Sequence, residues 1–598
     1  MMETFTSLSG GGKVDPRVVL VQAAMVAATR SSFRSGCSTW LHELVDACGG
    51  NSRLLGERRL LAGKALDALY AFAMARMEAE LHSAPAFSIS FDLWTSRGRT
   101  KSLCAISYHF LDSDLNQREL VLDAAPFSRQ THNAQNIALM VARRVDSHCL
   151  ESQLLYSVPT ASTGNVVNAS HELLQKHDAL VRENARLALT EDEEELPLLF
   201  YDDDVVEEVE EDLDELSIGC IAHRLHLAVS DLLREDEALR DFVKRVQRVV
   251  VGTRRSTERQ AALRIIQEVM KPEERPFSLS MSVSTRWNSL LAMVERFAHL
   301  WSFLCILFVR GDFKRDPSQI RPEKEPVVVL PLQDETDLMA DGISRVLGPL
   351  RKVSRFVQGS KYPTAAHVPY LLHEQQVDLG VIAEDEDSSQ EAVRFALCLQ
   401  ASIKNRFASH LSPDSPFVVA ALLHPSCVQF VYNSQGEGDP EQGTLGRVFE
   451  LLKIVRFDEQ KSAAAAASAG RGFGGAPPAV PIPSSLSDGV HDPLGQQVSL
   501  MGELKNFIMK LWSHRRAVRA GHPAGFSAAV ADQSPREVKG ELRGSSSPSM
   551  TTVLKIVFSS SASSATPERV FSCAGLLDNA LRSNLGEEKL EKLVVLGF

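Results

Sequence analysis

The sequence predicts an α/β protein: a mixed-sheet core, interrupted by a large all-helical insertion and closed by a helical C-terminal region. Three observations predict it. Residues 87–96 alternate Phe87, Ile89 and Phe91 against Ser88, Ser90 and Asp92, the period of two that gives a strand one buried face. Two more strand-like runs, 102–111 and 119–127, follow at hairpin spacing, then a helical pattern over 133–147 and an apolar stretch at 154–158. From Phe297 to Ile454 the periodicity is mainly helical.

The elements have local causes. Leu60, Leu61, Leu66, Leu69, Phe72 and Met77 fall near helical spacing and Pro85 closes the run, so residues 1–84 read as a helical N-terminal region. Asp114 and Asn116 suit the turn between the second and third strands. Ile137, Met140, Val141 and Val145 share one face of the 133–147 helix, and 228–248 reads as one amphipathic helix. Arg245, Arg248, Arg254, Arg255, Arg259 and Arg264 make a basic stripe that is either a phosphate contact or a solvated face. The first part of the core is expected over 85–296, with an acidic loop at 190–216. The insertion then spans 297–548, with Ala/Gly/Pro/Ser-rich linkers at 462–497 and 521–549, and 549–598 completes the core.

A chain of 598 residues can bury a large core. Its net charge of −12 excludes a polycation that coats nucleic acid, so DNA contact must come from local patches. Nine cysteines without a CxxC pair indicate a reducing compartment, and adjacent residues assemble no zinc site. No apolar run looks long enough to span a bilayer, so no membrane partner is expected. No small-molecule substrate is expected either.

Near the C-terminus, Thr566, Pro567 and Glu568 form a helix-start pattern: a capping hydroxyl, a proline in the first turn, an acid at the positive end of the dipole. Gly575 is the expected stop. In the DLWTS block, Asp92 follows the first strand.

Four blocks taken in order, DLWTS at 92–96, CIAHRLHL at 220–227, STRWNSLLAMV at 284–294 and SSATPERVFS at 563–572, resemble hAT-family DNA transposases. The resemblance implies a ribonuclease-H-like core with a C-terminal dimerisation region, although the family's N-terminal BED zinc finger is missing. It implies three metal-binding acids, of which Asp92 matches the first and Glu568 the third. The second falls on Ala161, within PTASTGNVVNA, and no Asp or Glu occurs from Ser152 to His171. Two-metal strand transfer needs carboxylates bridging both ions, and alanine offers no ligand.

The resemblance further implies that Arg286 contacts phosphate and that Trp287 stacks on a flipped base; the rival reading of Trp287 is a core aromatic. Cys220 and His223 would support the DNA end. Leu590, Leu593, Val594 and Leu596 would form the homo-oligomer face. The expected function is a nuclear, hAT transposase-derived, nucleic-acid-binding and self-associating protein, catalytically impaired and without a cofactor. One alternative is an active, Mg²⁺-dependent cut-and-paste transposase using an unrecognised acid. Another is a protein-interaction scaffold without DNA binding.

Overall fold

The computed structural model describes residues 16–28, 60–96, 101–127, 133–150, 153–158, 168–170, 219–282, 287–311, 329–360, 362–413, 415–428, 547–578 and 585–597, with single positions or short groups at 173 and between 431 and 542. In chain order the elements are α1 (Pro16–Ala28), a π-helical turn (Leu61–Ala65), α2 (Leu66–Leu81), β1 (Ala86–Thr95), β2 (Ser102–Leu111), β3 (Gln117–Pro126), α3 (Ala134–Ser147) and β4 (Leu154–Leu155). There follow α4 (Ile221–Glu235), α5 (Glu237–Arg254), α6 (Thr257–Met270), α7 (Trp287–Val309), α8 (Gln333–Val357), α9 (Val368–Glu384) and α10 (Gln390–Arg406). The chain then forms α11 (Pro416–Leu423), α12 (Pro548–Phe558), α13 (Ala565–Leu577) and α14 (Glu587–Leu596). The acidic run 191–215, Ala161, Arg286 and most of both linkers lie outside the described residues.

Two compact units result. The first joins residues 1–220, 358–369 and 410–598; the second joins 221–357 and 370–409. The segment 221–296, expected within the sheet-bearing core, therefore packs with the helical unit instead.

The first unit is built on a four-stranded sheet of order β3-β2-β1-β4. β1 pairs antiparallel with β2 and parallel with β4, and β2 pairs antiparallel with β3 across an irregularity at Ile106/Ser107. Asp112 makes the β2–β3 turn by accepting the amides of Asp114 and Asn116, both at 2.9 Å. Period-two alternation then decides both faces. Phe87, Ile89, Phe91, Ile106, Tyr108 and Leu122 pack under α3. On the opposite face Leu103, Ala105, Val121 and Ala124 meet α13, α14, Ala27 and Leu66. Asn133 caps α3 by accepting the Asn136 amide at 2.8 Å.

This second face corrects the expected homo-oligomer surface. Leu590, Leu593 and Val594 are buried against the chain's own sheet, with Leu596 partly buried beside them. A sheet face lined by alanine and valine leaves room for apolar helices, and α13 and α14 fill it. Gly575 does not stop α13, which continues to Leu577, because Val570, Cys573, Ala574 and Leu577 bury one continuous stripe.

The second unit is all helical among its described residues. The helix expected over 228–248 is two helices, because the Asp236 carboxylate accepts the Leu239 amide at 2.8 Å and starts α5 afresh. Asp231 anchors α4 to α10 through Arg406, whose Nε and Nη2 donate at 2.5 and 2.8 Å, and through the Ser402 hydroxyl at 2.6 Å. α7 is long and apolar enough to cross a membrane by length and composition, contrary to the sequence expectation. Leu291, Val294, Phe297, Leu300 and Leu304 on it are nevertheless fully or almost fully buried within the protein.

Candidate functional site

β1 carries Ser88, Ser90 and Asp92 toward the face covered by α12 and α13. A buried polar seam runs along it. Ser157 Oγ lies in hydrogen-bond contact with Ser88 Oγ at 2.8 Å and with Ser560 Oγ at 2.9 Å, and Ser88 shares a hydrogen bond with Ser559 at 3.0 Å. Ser90 meets His109 Nε2 at 2.9 Å, and His109 Nδ1 lies 3.4 Å from Glu119. Burial pushes the His109 pKa down, against the pull of Glu119, so the ring stays neutral at pH 7.

The seam ends at the start of α13. Thr566 does not cap this helix; its hydroxyl donates to the Glu119 carboxylate. The preceding serine-rich turn is held by Cys220, whose Sγ lies 3.6 Å from Ser563 Oγ and accepts the Ser564 amide at 3.4 Å. Thr364 Oγ1 accepts the Ala562 amide at 3.1 Å, and Arg569 donates to the Gln358 carbonyl at 2.6 Å. Cys220 is thus a buried residue that positions the start of α13.

These contacts place Glu568 within electrostatic reach of Asp92. Burial raises the Asp92 pKa to about 7, the Leu93 amide at 2.8 Å offsets part of this, and the Glu568 charge adds to the rise. No cation is among the causes of the shift, and neither is Glu119. A pair of carboxylates is a donor set that suits a hard divalent cation. The position of Ala161, the expected gap in that set, lies outside the described residues.

Of the other expected DNA contacts, Trp287 and His223 belong to the second unit. Trp287 is 4% exposed, in the interior of the second unit. Its first-turn position on α7 and its burial give it the place of a core aromatic, the rival reading of this residue. His223, on α4, is half-buried and its pKa is lowered by burial first, then by His226, Arg224 and Arg406.

The second unit offers a different cationic feature. A cleft of about 780 Å³ is lined by Arg254, Arg264 and Arg275 with Phe277, and no acid lines it. Phe277 is 41% exposed; the Arg296 guanidinium sits 4.3 Å from its ring centre, and His299 meets its edge at 5.2 Å. Of the six arginines in the sequence stripe, Arg245 is bound by Glu335, Arg259 by the Gly252 carbonyl and Arg264 by Glu268. Arg275 and Phe277 lie beyond that stripe, where periodicity carries no signal.

Residues 218–320 match the family described as the ZBED1 RNase-like helical domain. The chain is also 24% identical over 239 residues to tpeD of Talaromyces stipitatus, a protein provisionally named a transcriptional regulator. That match covers 36% of this chain and 24% of the other, so the chain spans about a quarter of the length of this curated relative. The sequence is thus similar to ZBED- and hAT-related proteins, and the architecture is mostly helical with one small mixed sheet.

Proposed function

We propose that this chain is a hAT transposase-derived, nucleic-acid-binding regulator of the nucleus, in which Asp92 and Glu568 are the surviving pair of a three-acid metal site. The observation that carries the reading is that pair: two carboxylates from opposite ends of the sequence, one on the first strand and one on α13, sharing one electrostatic neighbourhood. The strand order β3-β2-β1-β4, with β4 parallel to β1, supports a ribonuclease-H-like core. The likeness to a ZBED1-type domain and the name of the Talaromyces relative support DNA-linked regulation.

Asp92 and Glu568 would hold a divalent cation, which supplies Lewis-acid activation of a phosphodiester. With Ala161 in place of the bridging acid, catalysis loses a ligand worth several kcal/mol, each 1.36 kcal/mol being about tenfold in rate. DNA contact is assigned to the Arg254, Arg264 and Arg275 cleft rather than to Trp287. Self-association through the α14 face is not part of the reading, because that face is filled.

The test is a paired binding and cleavage assay on the full chain. DNA affinity that falls steeply with salt, no cleavage in Mg²⁺, and detectable cleavage by Ala161→Asp are the expected results. Cleavage by the unaltered chain points to an active transposase, and salt-independent or absent binding points to a scaffold.

A further inference from the structure

We infer that His367, His424 and Cys427 form a structural zinc site. The three come from separate turns of the first unit. His367 ends the 3₁₀ turn Ala365–His367, His424 caps the C-terminus of α11, and Cys427 follows one turn later. Their candidate ligand atoms all lie within 4.8 Å of one another. Zinc bonds of about 2.0–2.3 Å place tetrahedral ligands roughly 3.4–3.7 Å apart, so loading draws the set together by at most about an ångström.

Burial separates this cluster from a surface coincidence. The residues are 6%, 2% and 0% exposed, and the two imidazoles stand edge to face with centroids 4.5 Å apart. Two imidazoles and a thiol at one point in a core form a soft and borderline donor set that suits zinc rather than magnesium or calcium. One outer contact fits and another must yield. His367 Nδ1 lies 3.2 Å from the Pro363 carbonyl, which fixes its proton there and leaves the Nε2 lone pair for a metal. Ser426 donates its amide to His424 Nδ1 at 3.2 Å, at the long limit for such a bond, and loading trades that contact for the metal bond. The Cys427 thiol proton leaves as the thiolate binds, so uptake releases a proton. Three protein donors leave the fourth tetrahedral position for a water.

The ion would join α11 to the 3₁₀ turn beneath the segment that leads into α13. His424 meets Phe558 edge to face at 5.9 Å, and Thr364, three residues before His367, holds the Ala562 amide. The site is separate from the Asp92–Glu568 pair, and its fate does not depend on the nucleic-acid reading.

The test uses the full chain, loaded with zinc, dialysed, and analysed for metal by mass spectrometry, then reloaded with cobalt. One zinc per chain, and a thiolate-to-cobalt charge-transfer band in the near ultraviolet, are expected. Cys427→Ser abolishes the band and His367→Ala weakens zinc binding at least about tenfold. Cys398→Ser, a thiol in the other unit, leaves both unchanged. Substoichiometric zinc in the unaltered chain, or a cobalt spectrum without the thiolate band, overturns the site. These two readings need no variant to fold.

Discussion

Ser88 on β1 and Ser559 at the end of α12 share a buried hydrogen bond at 3.0 Å, spanning most of the sequence. The sheet is therefore closed by chain that arrives long after the strands, and α12, α13 and α14 are core elements. Leu593, 2% exposed against Val121 and Ala124, measures this. Leu593→Ala should cost about 2–5 kcal/mol in urea unfolding, from lost transfer energy and a cavity. Its melting temperature should not vary with protein concentration; a dependence would place the helix between subunits.

Asp92 should make stability fall as pH rises. Its pKa climbs from the usual 3.8 to about 7 on folding, so between those values the folded chain holds a proton that the unfolded chain has released. Stability is then greatest below about pH 4 with respect to this group and declines through pH 7. Asp92→Asn should flatten that slope and gain of the order of 2 kcal/mol at pH 8, after discounting for partial solvent screening. Mg²⁺ should raise the melting temperature of the unaltered chain at pH 8 and not that of Asp92→Asn. Identical pH profiles for the two proteins would remove the carboxylate pair from consideration.

What the sequence made legible was local. Strand alternation over 87–96 and 102–111 and the Asn133 cap need only neighbouring residues, and each element lies within two residues of its expected bounds. The partners of apolar faces were not legible. The stripe on α14 demands burial but does not say against what, and the alanines that receive it lie on β2 and β3. Trp287 was assigned to DNA by its motif, whereas its burial depends on helices that sequence order does not place around it. The His367, His424 and Cys427 cluster escaped because metal-spacing rules see adjacent pairs, and its third donor comes from a turn far upstream.

Asp231 should show the opposite pH sign in the second unit. The Arg406 hydrogen bond leads the causes that hold its pKa down at about 2, so its contribution is present above about pH 4 and is lost as pH falls toward 2. Asp231→Ala leaves Arg406 and Ser402 without their shared acceptor and should cost about 2–4 kcal/mol at pH 7. Asp231→Asn should cost less, and its deficit should shrink below pH 4. A deficit that stays constant to pH 2 would mean that packing rather than charge carries the effect.

The cationic cleft gives the prediction that bears most directly on nucleic acid. Arg264, which Glu268 pairs from the next helical turn, and Arg275 line it, and each phosphate they neutralise releases counterions. Arg275→Ala should lower the slope of log affinity against log salt by about 0.7–0.9, and the double change with Arg264→Ala by about twice that. Phe277 separates charge from stacking. With a partly open ring beneath Arg296, Phe277→Ala should weaken single-stranded DNA by about 1–3 kcal/mol while leaving the salt slope unchanged. Fluorescence anisotropy across a salt series reads both quantities from the same titrations. If the arginine changes leave the slope intact, DNA is held elsewhere and the cleft is a structural feature of the helical unit.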